Sequence, residues 1–175
     1  MAKNIFLIGY MGSGKTTWGK KLAHRTNLPF VDLDAALVQH FQMSINDYFE
    51  KHGVDAFRLE EQKMLHKVSE KQGQIIACGG GTPCYHNNID WMNEHGMTIY
   101  FSATAEQLHS RLKKDRSQRP LLKDEKEANL LGPITLQLER RVIDYSKAKW
   151  SIDAFNLNAT KLNALIDYLK EINAL

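Results

Sequence analysis

Long hydrophobic runs are missing from this sequence of 175 residues. Its longest apolar stretches, such as Ile5-Phe6-Leu7-Ile8 and Ile75-Ile76-Ala77, fall far short of the roughly 20 residues that span a bilayer, so no membrane partner is expected. Cysteine is scarce. Cys78 and Cys84 are too few and too far apart for a zinc site or a redox pair, which leaves plain reduced thiols. No Pro- or Gly-rich linker, internal repeat or low-complexity tract divides the chain. A large excess of one charge is absent as well: a net +3 suits anionic small molecules and is too weak to argue for nucleic acid. The seven histidines lack metal-ligand spacing and read as ordinary surface or core residues. Met1-Ala2-Lys3-Asn4 runs straight into a strand-like segment with no secretory apolar region, so a cytoplasmic location is expected.

What is present fits one soluble domain over 1–175 with a sizeable core: 43% hydrophobic and 25% charged residues are ordinary for a globular protein. Strand-like runs alternate with helical ones, the pattern of an α/β parallel sheet. The strand candidates are Asn4–Ile8, Phe30–Leu33, Gln74–Cys78, Thr98–Phe101 and Trp150–Asp153. The helix candidates are Lys15–Thr26, Ile45–His52, Ala56–Lys71, Ile89–His95, Ala105–Lys114, Leu130–Lys147 and Ala159–Ile172. Ser44-Ile45-Asn46-Asp47 resembles a capping box, and Gly53 reads as a helix stop. Lys113–Asn129 is dense in charge, contains Pro120 and has no apolar stripe, so it reads as a mobile surface loop.

Gly9-Tyr10-Met11-Gly12-Ser13-Gly14-Lys15-Thr16 fits G-x-x-x-x-G-K-[ST], with an apolar strand before it and a helix after it. Glycines let a backbone wrap phosphates with its N–H groups turned inward, and the helix adds its positive end. Lys15 then reaches the β- and γ-phosphates and Thr16 holds Mg²⁺. The competing reading, a chance match in a glycine-containing turn, does not account for the flanking strand and helix. Nucleotide binding follows; the reaction does not.

Other residues narrow the reaction. Asp32-Leu33-Asp34 ends the second strand candidate, where open α/β sheets bind ligands, and strand alternation puts both carboxylates on one face. One suits a metal's water shell and the other an attacking hydroxyl; a polar strand end or the cap of a following helix is the alternative. On a helical wheel Phe57, Glu61, Met64, Leu65 and Val68 share a face, with Arg58 at its edge. Glu61 either forms a structural ion pair with Arg58 or braces it for an anionic ligand. Ile134, Leu138, Tyr145 and Ala148 form another stripe, with Arg141 near its centre and Arg140 well off it. Arg141 therefore wants a carboxylate or phosphate, unless it snorkels. Gly79-Gly80-Gly81 is a flexible turn or a place of close approach. Arg119-Pro120-Leu121-Leu122 places a cation in the charged loop, which closes over phosphate or is simply solvated.

Taken in order, these pieces resemble the shikimate kinases over essentially the full length of the chain. The resemblance implies a P-loop NTPase fold, a nucleoside-monophosphate-kinase-like three-layer sandwich whose five-stranded parallel sheet runs 2-3-1-4-5. It implies a single kinase domain, with a shikimate-binding region at about 34–61 and a lid at about 113–129. The activity implied is ATP- and Mg²⁺-dependent phosphorylation of the 3-hydroxyl of shikimate, on the route to chorismate and aromatic amino acids, by a monomer. Arg58 and Arg141 would hold the shikimate carboxylate, with Gly79, Gly80 and Gly81 against the substrate. Asp34 would bind ring hydroxyls and orient or deprotonate the acceptor. ATP would sit on Gly12, Ser13, Gly14, Lys15, Thr16 and Thr17, with Arg119 on its phosphates and Arg111 near adenine. Lys15 and Arg119 would join Asp34 in catalysis, and Thr16 and Asp32 would serve Mg²⁺. Two departures stand out: Ala154–Asn158 lacks the Arg and Pro that some relatives place against adenine, and Lys123–Asn129 has no distinctive pattern.

Two other classes stay open. A gluconate or nucleotide kinase of the same fold would share the phosphate loop. A nucleotide-dependent switch or a catalytically silent binding module would share it too, but the chain has no Asn-Lys-x-Asp guanine-reading motif and both inward arginines would go unused.

Overall fold

The computed structural model describes residues 2–117 and 130–175, without the side chains of 115–117. Its centre is β1 (Asn4–Ile8), five residues with 0% exposure. A strand that apolar must be covered on both faces, as parallel sheets are. It is joined by β2 (Phe30–Asp32), β3 (Ile75–Ala77), β4 (Gly96–Ser102) and β5 (Trp150–Asp153), all parallel, in the order β2-β3-β1-β4-β5. This is the sheet expected from the sequence.

Alternation along β1 splits the core in two. Ile5 and Leu7 face α1 (Lys15–Thr26) and α7 (Ala159–Glu171), packing with Leu22, Leu165 and Leu169. Phe6 and Ile8 face the opposite layer. There Leu33 and Leu37 of α2 (Leu33–Phe41), Phe57 and Leu65 of α3 (Ile45–Ser69) and Met92 of α4 (Asn88–His95) close over them. α5 (Ala105–Ser117) and α6 (Leu131–Tyr145) complete that side with Leu108, Ile134 and Tyr145. The result is a three-layer sandwich.

Two segments differ from the sequence expectation. The segment read as a strand through Leu33 leaves the sheet at Asp32, and Leu33–Phe41 is a helix that was not foreseen. The Asp32 carboxylate accepts the Ala35 N–H at 3.2 Å and so starts the helix. Strand alternation therefore does not relate Asp32 to Asp34: one caps α2 and the other lies in its first turn. The expected loop from Lys113 is also wrong at its start, because α5 continues to Ser117; a charged helix on the surface needs no wide apolar stripe. The rest of the lid assigned to about 113–129, with Arg119–Leu122 and Lys123–Asn129, lies outside the described residues.

Gly53 does stop a helix. α3 is broken there by φ 81° and ψ 170°, which separates the two helices expected on either side of it. Ser44 caps the first half, accepting the Asp47 N–H at 3.1 Å and donating its hydroxyl to the Asp47 carboxylate at 2.7 Å. Among the described residues no helix is long and apolar enough to cross a membrane.

Candidate active site

The carboxyl ends of β1, β2 and β3 lie side by side, and the residues that follow each strand form the site. After β1 the chain turns through Gly12 and Gly14 at φ 79° and 93°, in the left-handed region that glycine occupies at no steric cost. The turn leads straight into α1. Lys15 is buried, and its Nζ donates to the carbonyls of Gly9 at 2.8 Å and Tyr10 at 2.9 Å. Burial lowers its pKa to about 8, against the opposing pull of the Asp34 carboxylate. Ser13 is fully buried, and its hydroxyl has no hydrogen-bond partner among the described residues. Thr16 donates its hydroxyl to Asp32 Oδ2 at 2.9 Å.

A cleft of about 450 Å³ opens above the loop, lined by Gly12, Gly14, Lys15, Thr16 and Thr17 together with Asp32, Asp34 and Gly80. Asp34 is open to this cleft. Partial desolvation there, with Asp32 and Glu61 nearby, raises its pKa to about 6 in spite of Lys15 and Arg58. Arg111 reaches the rim from α5. It donates to the Gly12 carbonyl at 2.9 Å and its Cζ lies 4.0 Å from the ring centre of Phe155.

The three glycines after β3 lie against side chains of the site, Gly79 against Asp34, Glu61 and Thr82, Gly80 against Arg141 and Gly81 against Arg58. A Cβ on Gly79 would stand 2.7 Å from Asp34 Oδ1, one on Gly80 would stand 3.3 Å from Arg141 Nη1, and one on Gly81 would stand 2.5 Å from Arg58 Nη2. Neither arginine lines the cleft itself, but Gly80 and Asp34 do.

The two arginines are held differently. Arg58 is buried against Glu61, with Nη1 donating to Oε2 at 2.6 Å, and its guanidinium lies 4.4 Å from the Tyr85 ring centre. Glu61, 1% exposed, also accepts the Thr82 hydroxyl at 2.6 Å, and Thr82 belongs to a 3₁₀ turn spanning Thr82–Cys84. Arg141 is half-buried while Arg140 is exposed, as the α6 stripe suggested. Among the described residues no carboxylate lies within 4.0 Å of the Arg141 guanidinium. It rests on the Tyr10 ring, 5.3 Å from its centre, and on the hydroxyl of Tyr145, which itself donates to the Gly80 carbonyl at 2.5 Å.

The structure thus brings together Asp32, Asp34, Lys15, Thr16, the glycines, Arg58 and Arg141. Arg119 is outside the described residues. Sequence reasoning missed Tyr10, Thr82, Phe155 and the role of Tyr145. Tyr145 carried a signal, since it lies four residues after Arg141 on the same stripe. Tyr10 was hidden in a variable position of the motif, and nothing marked Thr82. Both thiols are free, and burial pushes that of Cys78 far up and that of Cys84 to about 12, so neither is a ready nucleophile.

Known proteins resemble this chain closely in sequence and in fold. A sequence profile described as shikimate kinase matches residues 11–167. The shikimate kinase of Phocaeicola vulgatus is 39% identical over 168 residues, covering 95% of this chain and 96% of the relative. A crystal structure of shikimate kinase from Bacteroides thetaiotaomicron superposes with a TM-score of 0.86 at 35% identity, over 99% of each chain. The shikimate kinase from Acinetobacter baumannii in complex with shikimate superposes with a TM-score of 0.82 at 27% identity, over 100% of this chain and 97% of that one.

Proposed function

The chain belongs to the shikimate kinase family, and on that footing we propose that its cleft transfers the γ-phosphoryl group of ATP to the 3-hydroxyl of shikimate. The products are shikimate 3-phosphate and ADP, on the way to chorismate and the aromatic amino acids. One observation carries this reading: cations from α3 and α6, Arg58 and Arg141, stand against successive glycines beside Asp34. Two planar guanidinium forks approaching from different elements suit a single carboxylate.

Each group then has a task. The backbone N–H groups of Gly12–Thr17 and the start of α1 hold the phosphates. Lys15, still mostly charged at pH 7 with a pKa of about 8, offsets charge on the transferring group. Asp34, mostly ionised above about pH 6, orients the acceptor hydroxyl and receives its proton. Arg58 and Arg141 fix the acid end, so the hydroxyl faces the phosphate rather than water. Arg119 is retained as a further phosphate cation on the basis of the family resemblance alone.

Thr16 and Asp32 present hard oxygens to the cleft 2.9 Å apart. Among the described residues no cluster of three or more His, Cys, Asp or Glu side chains could hold a metal instead. A pair of oxygens suits Mg²⁺, which keeps several waters and relies on substrate phosphates for the rest of its shell. When bound, Mg²⁺ neutralises phosphate charge. Arg111 and Phe155 mark the rim where the base of ATP would lie. The free thiols suit a reducing cytoplasm, where we place the protein as a monomer.

The test is ADP release in a coupled assay with shikimate, gluconate and nucleoside monophosphates as rival acceptors. Shikimate should win, and Arg58→Ala and Arg141→Ala should each raise its KM by about tenfold or more, the worth of a charge-assisted hydrogen bond, with the ATP KM little changed. Turnover on another acceptor, or indifference to both substitutions, defeats the assignment.

A further inference from the structure

Tyr10 stands at a variable position of the phosphate loop, yet it is only 4% exposed. It makes three contacts that phosphate binding alone does not require. Its carbonyl accepts Lys15 Nζ at 2.9 Å. Its ring lies under the Arg141 guanidinium, 5.3 Å from centre to Cζ. Its hydroxyl donates to Gln137 Oε1 at 2.9 Å, one turn before Arg141 on α6. A second line of contact runs beside it: a Cβ on Gly80 would be 3.3 Å from the Met11 backbone N and 3.3 Å from Arg141 Nη1, so the loop, the glycine run and Arg141 touch in sequence.

These contacts matter because Arg141 has no carboxylate to fix it among the described residues. Its guanidinium is steered instead by the Tyr145 hydroxyl and by the flat face of the Tyr10 ring, whose negative quadrupole attracts it. A buried ring is rigid, so a shift of the loop backbone moves it as a body. Resting on the reading of the site given above, we propose that Tyr10 is a positioning residue that aims Arg141 at the carboxylate of the acceptor and links that anchor to the nucleotide phosphates. A phosphate that draws Lys15 Nζ away from the Tyr10 carbonyl frees the loop at the residue whose ring and hydroxyl hold α6. By linkage, an acid bound at Arg141 must then change nucleotide affinity by the same factor.

Titration calorimetry with shikimate, and with Mg·ADP, tests this. Each ligand is titrated alone and in the presence of the other. The wild type should bind shikimate with an affinity that changes when Mg·ADP is present. Tyr10→Phe and Gln137→Leu remove only the hydroxyl tether; they should keep shikimate affinity without nucleotide within about twofold of wild type but bring the ratio of the two affinities towards one. Tyr10→Leu also removes the ring, and should weaken shikimate binding by about threefold to thirtyfold while leaving Mg·ADP binding nearly unchanged. A wild-type ratio of one, or wild-type ratios in Tyr10→Phe and Gln137→Leu, overturns the link. Unchanged shikimate binding in Tyr10→Leu, or equal losses for both ligands, overturns the positioning role. A wild type that does not bind shikimate at all would instead sink the reading of the site.

Discussion

A methyl group on Gly81 would stand 2.5 Å from Nη2 of Arg58 and 2.7 Å from its Cζ and Nη1. Gly81 has φ −92° and ψ −16°, a conformation open to any residue, so its small size rather than its freedom is what the site uses. Gly81→Ala should therefore move the guanidinium, the end of a flexible side chain, and leave the backbone in place. Because Nη1 is also the atom paired with Glu61, the expected outcome is a stability loss of about 1–3 kcal/mol in urea melts, with a clear rise in the shikimate KM and an unchanged ATP KM.

Glu61 holds Arg58 on one oxygen and Thr82 on the other, both at 2.6 Å, while only 1% exposed. Glu61→Ala leaves a buried cation without its partner. It should cost about 3–5 kcal/mol of stability and raise the shikimate KM as well. Thr82→Val removes a single hydrogen bond and should cost about 1–3 kcal/mol. Denaturant unfolding paired with steady-state kinetics measures both effects.

Asp34→Asn keeps the shape of the residue and one acceptor oxygen but removes the carboxylate proposed to receive the hydroxyl proton. It should lower kcat by about a hundredfold to ten-thousandfold with a smaller effect on the KM of either substrate. A kcat near that of wild type would remove Asp34 from the chemistry.

The pH behaviour of Asp34 has two consequences of opposite sign. Desolvation in the cleft, first, and then the nearby Asp32 and Glu61 raise its pKa from the usual 3.8 to about 6, so activity should rise with pH through about 6 and then level off. The folded protein holds that proton more tightly than the unfolded chain does. The resulting stability is fully present below about pH 4 and lost as pH rises through about 6. Asp34→Asn should thus gain in Tm relative to wild type between pH 4 and pH 7.5, as thermal melts at the two pH values would show.

Much of this was legible in the sequence, for identifiable reasons. β1 and α1 were read to their ends because an apolar run, a glycine loop and a helix follow one another without ambiguity. Glu61 and Arg141 stood out because a charge within a periodic apolar stripe must have a partner. α2 was missed because Leu33-Asp34-Ala35-Ala36-Leu37 follows a strand of only three residues, and the Asp32 side chain, not hydropathy, makes the switch. Ala35 and Ala36, both strong helix formers after an Asp, were the available signal. The parts played by Tyr10, Thr82 and Phe155 could not be read, since each depends on a partner distant in the chain: Arg141, Glu61 and Arg111.

Asp32 divides its two oxygens between different duties: Oδ1 starts α2 through the Ala35 N–H, and Oδ2 takes the Thr16 hydroxyl. Erasing the side chain would fray the helix that carries Asp34 and also remove a carboxylate proposed to serve Mg²⁺, so an alanine replacement confounds two defects. Asparagine retains a carbonyl oxygen for the helix while discarding the negative charge. Comparing the two replacements side by side separates damage to the scaffold from damage to ion binding, and that choice of residue decides what any mutagenesis at this position can teach.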